Sequence, residues 1–398
     1  MSDTRKTTKP NVPNLRFPGF EGEWELHLLS DYCHKITRKN KGNILSNVLS
    51  NSANQGIISQ SEYFDRAIAN SNNTAGYYII EQDDFVYNPR KSTAAPYGPV
   101  NVYHGGEPGI ISPLYLCFKT TGINREFLFY YFKSKAWWPY MYENGDSGVR
   151  HDRVSIKDDV FFAMPIQLPP EEEQLKIAQL LSLIDQRIAV QNKVIEDLKK
   201  LKTALEERML GQCQGKQVRL RDILIERVEK SRINNQYEVL SSTVSGIYSQ
   251  REYFNKEIAS ADNTGYKAIH RGDVVLSPQN LWMGNINYND RFEIGIVSPS
   301  YKVFSIDEKF DKGYIAFLLK TRKALWAYSL VSEQGASIVR RNLNYESFLE
   351  ISFVIPSLKE QQATARRLSA FQQKYAMEEA FLRSLLLQKE FMLKSLVI

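Results

Sequence analysis

The feature that most constrains this chain is that it says one thing twice. The stretch GIISQSEYFDRAIANSNNTAGYYIIEQDDFVYNP, Gly56 to Pro89, returns 190 residues later as GIYSQREYFNKEIASADNTGYKAIHRGDVVLSP, Gly246 to Pro278. Identities include Gly56/Gly246, Ser59/Ser249, Glu62/Glu252, Tyr63/Tyr253, Phe64/Phe254, Asp84/Asp273 and Pro89/Pro278. A period of this length is a domain duplication, not a solenoid repeat. At 398 residues the chain also exceeds what one core usually serves, so two related globular units are expected.

The correspondence runs on past the proline. ISPLYLCF from Ile111 answers VSPSYKVF from Val297, both reading as strands. EFLFYYFKSK from Glu126 answers GYIAFLLKTR from Gly313, both reading as amphipathic helices. GVRHDRVSI from Gly148 then answers GASIVRRNL from Gly335. Between these matched pieces the copies part: RKSTAAPYGPVNVYHGGEPG follows Pro89, whereas QNLWMGNINYNDRFEIG follows Pro278. A shared framework with a divergent insert suits two readers of different ligands, although neutral drift of exposed loops leaves the same trace.

Each copy ends in a proline-led helical stretch, LPPEEEQLKIAQLL from Leu168 and IPSLKEQQATARRL from Ile355, with acidic residues where the helix dipole favours them. Spacing of three and four selects a seam in each. The first runs Leu181, Ile184, Ile188, Gln191, Ile195, Leu198, Lys202, Leu205, Met209; the second runs Leu368, Phe371, Tyr375, Glu378, Leu382, Leu385, Lys389, Met392, Leu396, each displaced by the same 187 residues. Such seams bury against another helix, and their polar members set register. The expected fold is α+β: two tandem duplicated domains, residues 1–168 (1–13 a polar tail) and 216–355, each followed by a helix, 169–215 and 356–398. The helices are expected to pair as an antiparallel coiled coil with Lys202 beside Glu378, Gln191 beside Lys389 and Met209 beside Phe371. Packing of each helix on its own domain, or dimerisation, would use the same seams.

Catalytic apparatus is not legible. GQCQGKQ from Gly211 has three residues, not four, between its glycine and the Gly-Lys pair, so it is no phosphate-binding loop. NPR at Asn88 lacks the second proline and aromatic of an amino-methyltransferase, and no glycine-rich turn follows a strand. The carboxylates of PEEEQLK sit at a helix start, where the dipole explains them. Cys33, Cys117 and Cys213 form no CxxC pair and the five histidines stand at no ligand spacing, so neither a metal nor a disulfide is expected. His34 and His104 read as packing or loop residues. No apolar run approaches a bilayer span and the start has no apolar signal core, which points to a cytoplasmic protein without membrane contact.

What remains is recognition hardware. A net charge of +6 permits a nucleic-acid partner. The first insert offers Arg90, Lys91, Ser92, Tyr97 and Asn101; the second offers Gln279, Asn280, Trp282, Asn285, Asn287 and Arg291. Arg and Lys match guanine acceptors, Asn and Gln match the adenine edge, and aromatic rings contact methyl groups or wedge at steps. The glycine-led loops add Arg150, His151 and Arg153, and Arg340 and Arg341, suited to phosphates.

Over essentially its full length the chain resembles the specificity (S) subunits of type I restriction-modification systems: LRFPGFEGEWE at Leu15, GIISQSEYF, DDFVYNP and the two helix-opening motifs carry the likeness. The second opening is eroded, with Ser357 and Thr364 where the first has Pro170 and Ile177. The resemblance implies a non-catalytic subunit whose two domains each read half of an asymmetric bipartite site in double-stranded DNA. It implies partners too: two methyltransferase (M) subunits using S-adenosylmethionine, and restriction (R) subunits using ATP and Mg, with no cofactor in this chain. A coiled-coil scaffold for proteins, and the specificity module of another phage-defence enzyme, are the other readings.

Overall fold

In the computed structural model, residues 11–60, 74–146, 152–253, 262–334 and 340–398 are described. The chain forms two units, Met1–Gln191 with Phe381–Ile398, and Asn192–Ala380. Both mix strands and helices, and they repeat one design.

In the first unit a four-stranded antiparallel sheet runs in the order Cys33–Lys35, Leu116–Thr120, Phe85–Tyr87, Val100–Val102. The second unit repeats the order with Leu224–Glu226, Lys302–Ile306, Val274–Leu276 and Ile286–Tyr288. The central strands FVY and VVL are buried throughout, as short all-apolar runs covered on both faces should be. Against the first sheet pack Phe127, Phe132 and Phe161, with Phe85 and Phe118 stacked 5.2 Å apart. Tyr314, Tyr328 and Phe348 fill the same role beside Phe304 in the second unit. Full burial of such rings contributes about 1.5–3 kcal/mol each before ordering costs. A second four-stranded sheet in the first unit pairs Val48–Ser52 antiparallel with Gly56–Ser59 and parallel with Gly109–Ile111.

The helix-opening motifs have a structural purpose that the resemblance alone does not supply. Gln174 Nε2 donates to Pro169 O at 2.9 Å while its Oε1 accepts the Asn124 N–H at 3.1 Å. Gln361 does the same to Pro356 O and the Asp311 N–H, both at 2.9 Å. Asn124 and Asp311 are themselves N-caps, accepting from Phe127 N and Tyr314 N. One buried carboxamide thus ties the start of a long helix to the start of a short one in each unit. Replacing Gln361 with Leu strands two main-chain groups, and we expect a loss of about 2 kcal/mol in the thermal unfolding of the second unit.

The long helices span Glu171–Gly211 and Leu358–Leu396. Every seam residue in them is buried or half-buried. Their register differs from the expectation. Within the first unit Asp185 pairs with Lys389 at 2.5 Å and the Arg187 guanidinium lies 5.3 Å from the Phe381 ring; within the second, the Tyr375 hydroxyl meets Lys199. The 185/389 and 199/375 contacts share one antiparallel offset, six residues from that placing Gln191 beside Lys389. Lys202 instead pairs with Glu206 and Glu378 with Lys374, both on their own helices. The seam selects which face is buried, but a repeat of three and four offers several near-equivalent offsets. Asp185, which flanks the seam, takes Lys389.

Candidate nucleic-acid interface

In both units the chain after the shared proline meets the segment that follows the glycine-led loop, an isolated bridge in the first unit and a strand in the second. Arg90 bridges Arg153 in an antiparallel pairing, the Lys91 N–H donates to Asp152 O at 2.8 Å and the Val154 N–H to Pro89 O at 2.9 Å. Arg90 also approaches the Asp152 carboxylate at 3.9 Å. Arg90, Lys91 and Ser92 line an open concavity of 460 Å³ with Asn51, Asn54, Asn88 and Tyr115. Ser92 uses its hydroxyl to accept the Ala95 N–H and close a turn. In the second unit Gln279, Asn280 and Trp282 lie on the short 3-10 helix Pro278–Met283, and the Arg341 guanidinium covers the Trp282 ring at 4.1 Å. Arg341 belongs to the hairpin strand Arg341–Leu343, paired with Ser332–Gln334. Arg340 is exposed beside it, and Arg150 and His151 lie outside the described residues.

The two surfaces therefore have one plan and different chemistry: Arg90, Lys91, Ser92 and Arg153 in one, Gln279, Asn280, Trp282, Arg340 and Arg341 in the other. A guanidinium seated on an indole places a cation where a base edge or phosphate can meet it.

Five residues expected at this surface are buried or engaged by other groups. Asn101 is 4% exposed, donating through Nδ2 to Asn51 Oδ1 at 2.5 Å and Ser52 O at 3.0 Å. Asn287, 5% exposed, donates to Ser242 Oγ and Thr243 O, both at 2.7 Å. They hold one position in the fold, opposite Val86 and Val275. Asn285 is likewise buried, bonded to the Ser242 hydroxyl and carbonyl. These carboxamides satisfy main-chain and side-chain groups beneath the insert, and no base edge can reach them unless those bonds break. Tyr97 is half-buried against Trp138, its carbonyl accepting the Tyr87 hydroxyl. Arg291 is exposed but bound to Glu252 at 2.7 Å and lies over Phe292.

The residues not foreseen are Asn51, Asn88, Lys133, Ser242 and Lys320. Asn88 donates to Asn51 O and accepts the Arg90 N–H, so it shapes the concavity floor. Lys133 and Lys320 stand 187 residues apart in the matched stretches quoted above, Lys133 as the last residue of its helix and Lys320 two residues past the end of its own. Their shared displacement was the available signal.

Residues 21–200 match the family model of the type I restriction modification DNA specificity domain. The chain carries that specificity domain. The second half of the chain lies beyond the matched residues, but it repeats the domain's framework, its sheet order and its Gln-tied helix start. Two solved chains share the fold. One, from a structure addressing complex assembly and conformational transition of the type I R-M system, is 13% identical with a TM-score of 0.56, covering 96% of this chain and 99% of that one. The other, the type I restriction-modification system S subunit from M. genitalium, is 14% identical with a TM-score of 0.55, covering 97% and 99%. No curated protein matches the chain. Among the described residues no helix is long and apolar enough to cross a membrane, and no group of three or more His, Cys, Asp or Glu is placed to hold a metal. Cys33 and Cys117 are buried in the specificity domain, which pushes both thiols up to about 12.

Proposed function

We propose that this chain is the non-catalytic DNA specificity subunit of a type I restriction-modification complex in the cytoplasm. Each unit reads one half of an asymmetric bipartite site in duplex DNA. The long helices pair as an antiparallel coiled coil and dock two methyltransferase subunits, with restriction subunits joining through the complex. S-adenosylmethionine, ATP and Mg belong to those partners. The observation that carries the reading is the repeated meeting of insert and post-loop segment, presenting Arg90, Lys91 and Ser92 in one unit and Gln279, Asn280 and Trp282 in the other. Two frames of one design with different side chains at the same place are what two half-sites of different sequence require.

The test is selection of bound duplexes from a random pool by the full chain, alone and with its candidate methyltransferase. We expect two fixed half-sites with a constant unread gap and affinity that falls steeply with salt. Arg341→Gln should weaken preference in one half about tenfold, the size of one lost arginine contact, and leave the other half intact. Salt-independent behaviour with no enriched motif would instead favour a scaffold that binds protein.

A further inference from the structure

Lys133 and Lys320 are exploited in matching ways. Lys133 Nζ donates to Val100 O at 3.2 Å and to Asn101 Oδ1, and lies 4.8 Å from the centre of the Phe129 ring. Lys320 Nζ donates to Gly284 O at 2.8 Å and Val244 O at 3.2 Å. Val100 and Asn101 lie in the first insert. Gly284 lies in the second, in the left-handed region at φ +89°, closing the 3-10 helix that carries Gln279, Asn280 and Trp282. Each ammonium therefore grips its own unit's insert from behind. From Lys133 the bonds continue forward: Asn101 to Asn51, Asn88 to Asn51 O, and the Arg90 N–H to Asn88.

We infer that Lys133 and Lys320 are a matched pair of positioning residues, each clamping the base of its unit's insert and thereby setting which half-site that unit accepts. The inference rests on the proposed reading of DNA by the two units. A cation bonded to carbonyl and carboxamide oxygens fixes those acceptors more firmly than a neutral donor would. The ammonium adds to the strand pairing and carboxamide bonds that already root each insert, and it is the one charged group among them. A lysine common to both frames allows the insert above it to vary while its root stays put.

Desolvation lowers the Lys133 ammonium to about 8; Lys320 is lowered for the same reason although its side chain as a whole stays exposed. Lys389 lowers Lys133 further and Asp185 opposes the shift, each from one of the long helices. Around Lys320 the adjoining cavity is lined by Glu206, Glu207, Arg322 and Lys323. Between pH 8 and the ordinary lysine value of 10.5 the unfolded chain binds more protons than the folded one, so fold stability rises with pH across that window. The charge-assisted grip on the insert fades over the same window. Discrimination between half-sites should then decline above pH 8 while thermal stability does not.

The experiment is duplex selection with the full chain and its methyltransferase, comparing wild type with Lys133→Met, Lys133→Arg, Lys320→Met and Lys320→Arg. Lys133→Met should reduce base preference at least tenfold in one half only, and Lys320→Met in the other half only. The arginine variants should retain most of the preference and lose its decline above pH 8. Hydrogen exchange on the same proteins separates positioning from folding: in Lys133→Met, amides of residues 90–92 and 100 should lose protection while those of Phe85–Tyr87 keep it. Both halves failing together, neither half changing, or loss of protection through the central strands would each overturn the inference. A wild-type chain that enriches no two-part motif removes the DNA-reading function itself, a failure visible before any variant is made.

Discussion

Exchanging residues 90–108 for the insert of another specificity domain will change one half of the methylated DNA motif and leave the other half as it was. The exchanged segment begins immediately after Pro89 and ends before the strand Gly109–Ile111, so both cuts fall at framework the two copies share. Within it Arg90, Lys91 and Ser92 line the concavity. A bidentate base contact is worth about 1–3 kcal/mol of discrimination, so two or three replaced contacts are enough to rewrite a half-site. The second unit's surface is built from residues 279–282 and 340–341, none of which is touched. Methylome sequencing of cells expressing each version with the methyltransferase reads both halves at once. A donor insert lacking an asparagine at the position of Asn101 should fail for a different reason, loss of the bonds to Asn51 and Ser52. If both proteins are soluble and associated yet no motif is written, the protein-binding scaffold becomes the better account.

Arg16→Met will be the most damaging single substitution away from the reading surfaces. Arg16 meets Glu173 through two parallel bonds, Nε to Oε1 at 2.9 Å and Nη2 to Oε2 at 2.8 Å, and the Glu173 side chain is 0% exposed. The pairing raises the Arg16 pKa further, so the arginine stays charged. Removing the cation leaves a carboxylate sealed from water with its partner gone, at a cost of about 3–5 kcal/mol. The matching residue in the second copy, Glu360, instead accepts from the Ser357 N–H and hydroxyl at the surface. Calorimetry of Arg16→Met should therefore show loss confined to the first unit. The double variant Arg16→Met, Glu173→Met should recover most of it, because two apolar side chains replace a charge pair and leave no charge buried. A double variant as unstable as the single one would mean that Arg16 acts through packing.

Duplication made most of the architecture legible, since any pattern that recurs at a constant displacement has to serve both copies. It exposed the strands, the helix starts and the seam, and it marked both Arg90 and Arg153, but that these two meet is seen only in the fold. It did not reveal the helix register, because a seam of three and four repeats tolerates sliding, and the Asp185 to Lys389 pair that accompanies the register lies partly off the seam. Nor did it separate Asn101, Asn285 and Asn287 from true surface residues. An asparagine that reads a base and one that bonds a neighbouring strand have the same composition and the same place in a loop-rich insert. What distinguishes them is the fold: Asn101 pairs with Val86, Asn287 with Val275, and Asn285 bonds Ser242. Lys133 and Lys320 were hidden differently: on an amphipathic helix a lysine looks like solvent-facing charge. The Arg16 to Glu173 pair joins residues 157 apart in sequence, with no repeat in the second copy to draw attention to it.

The buried carboxamides also tell a protein engineer where diversity can be spent. A combinatorial library on this scaffold belongs at positions 90–92 and 279–282, with Asn101, Asn285 and Asn287 held invariant, because substitution there removes foldable clones without sampling new contacts. Since the two randomised patches sit on separate units with separate anchors, winners selected for the left and right half-sites can be recombined. A hundred clones of each would encode ten thousand composite specificities on the order of a product, not a sum.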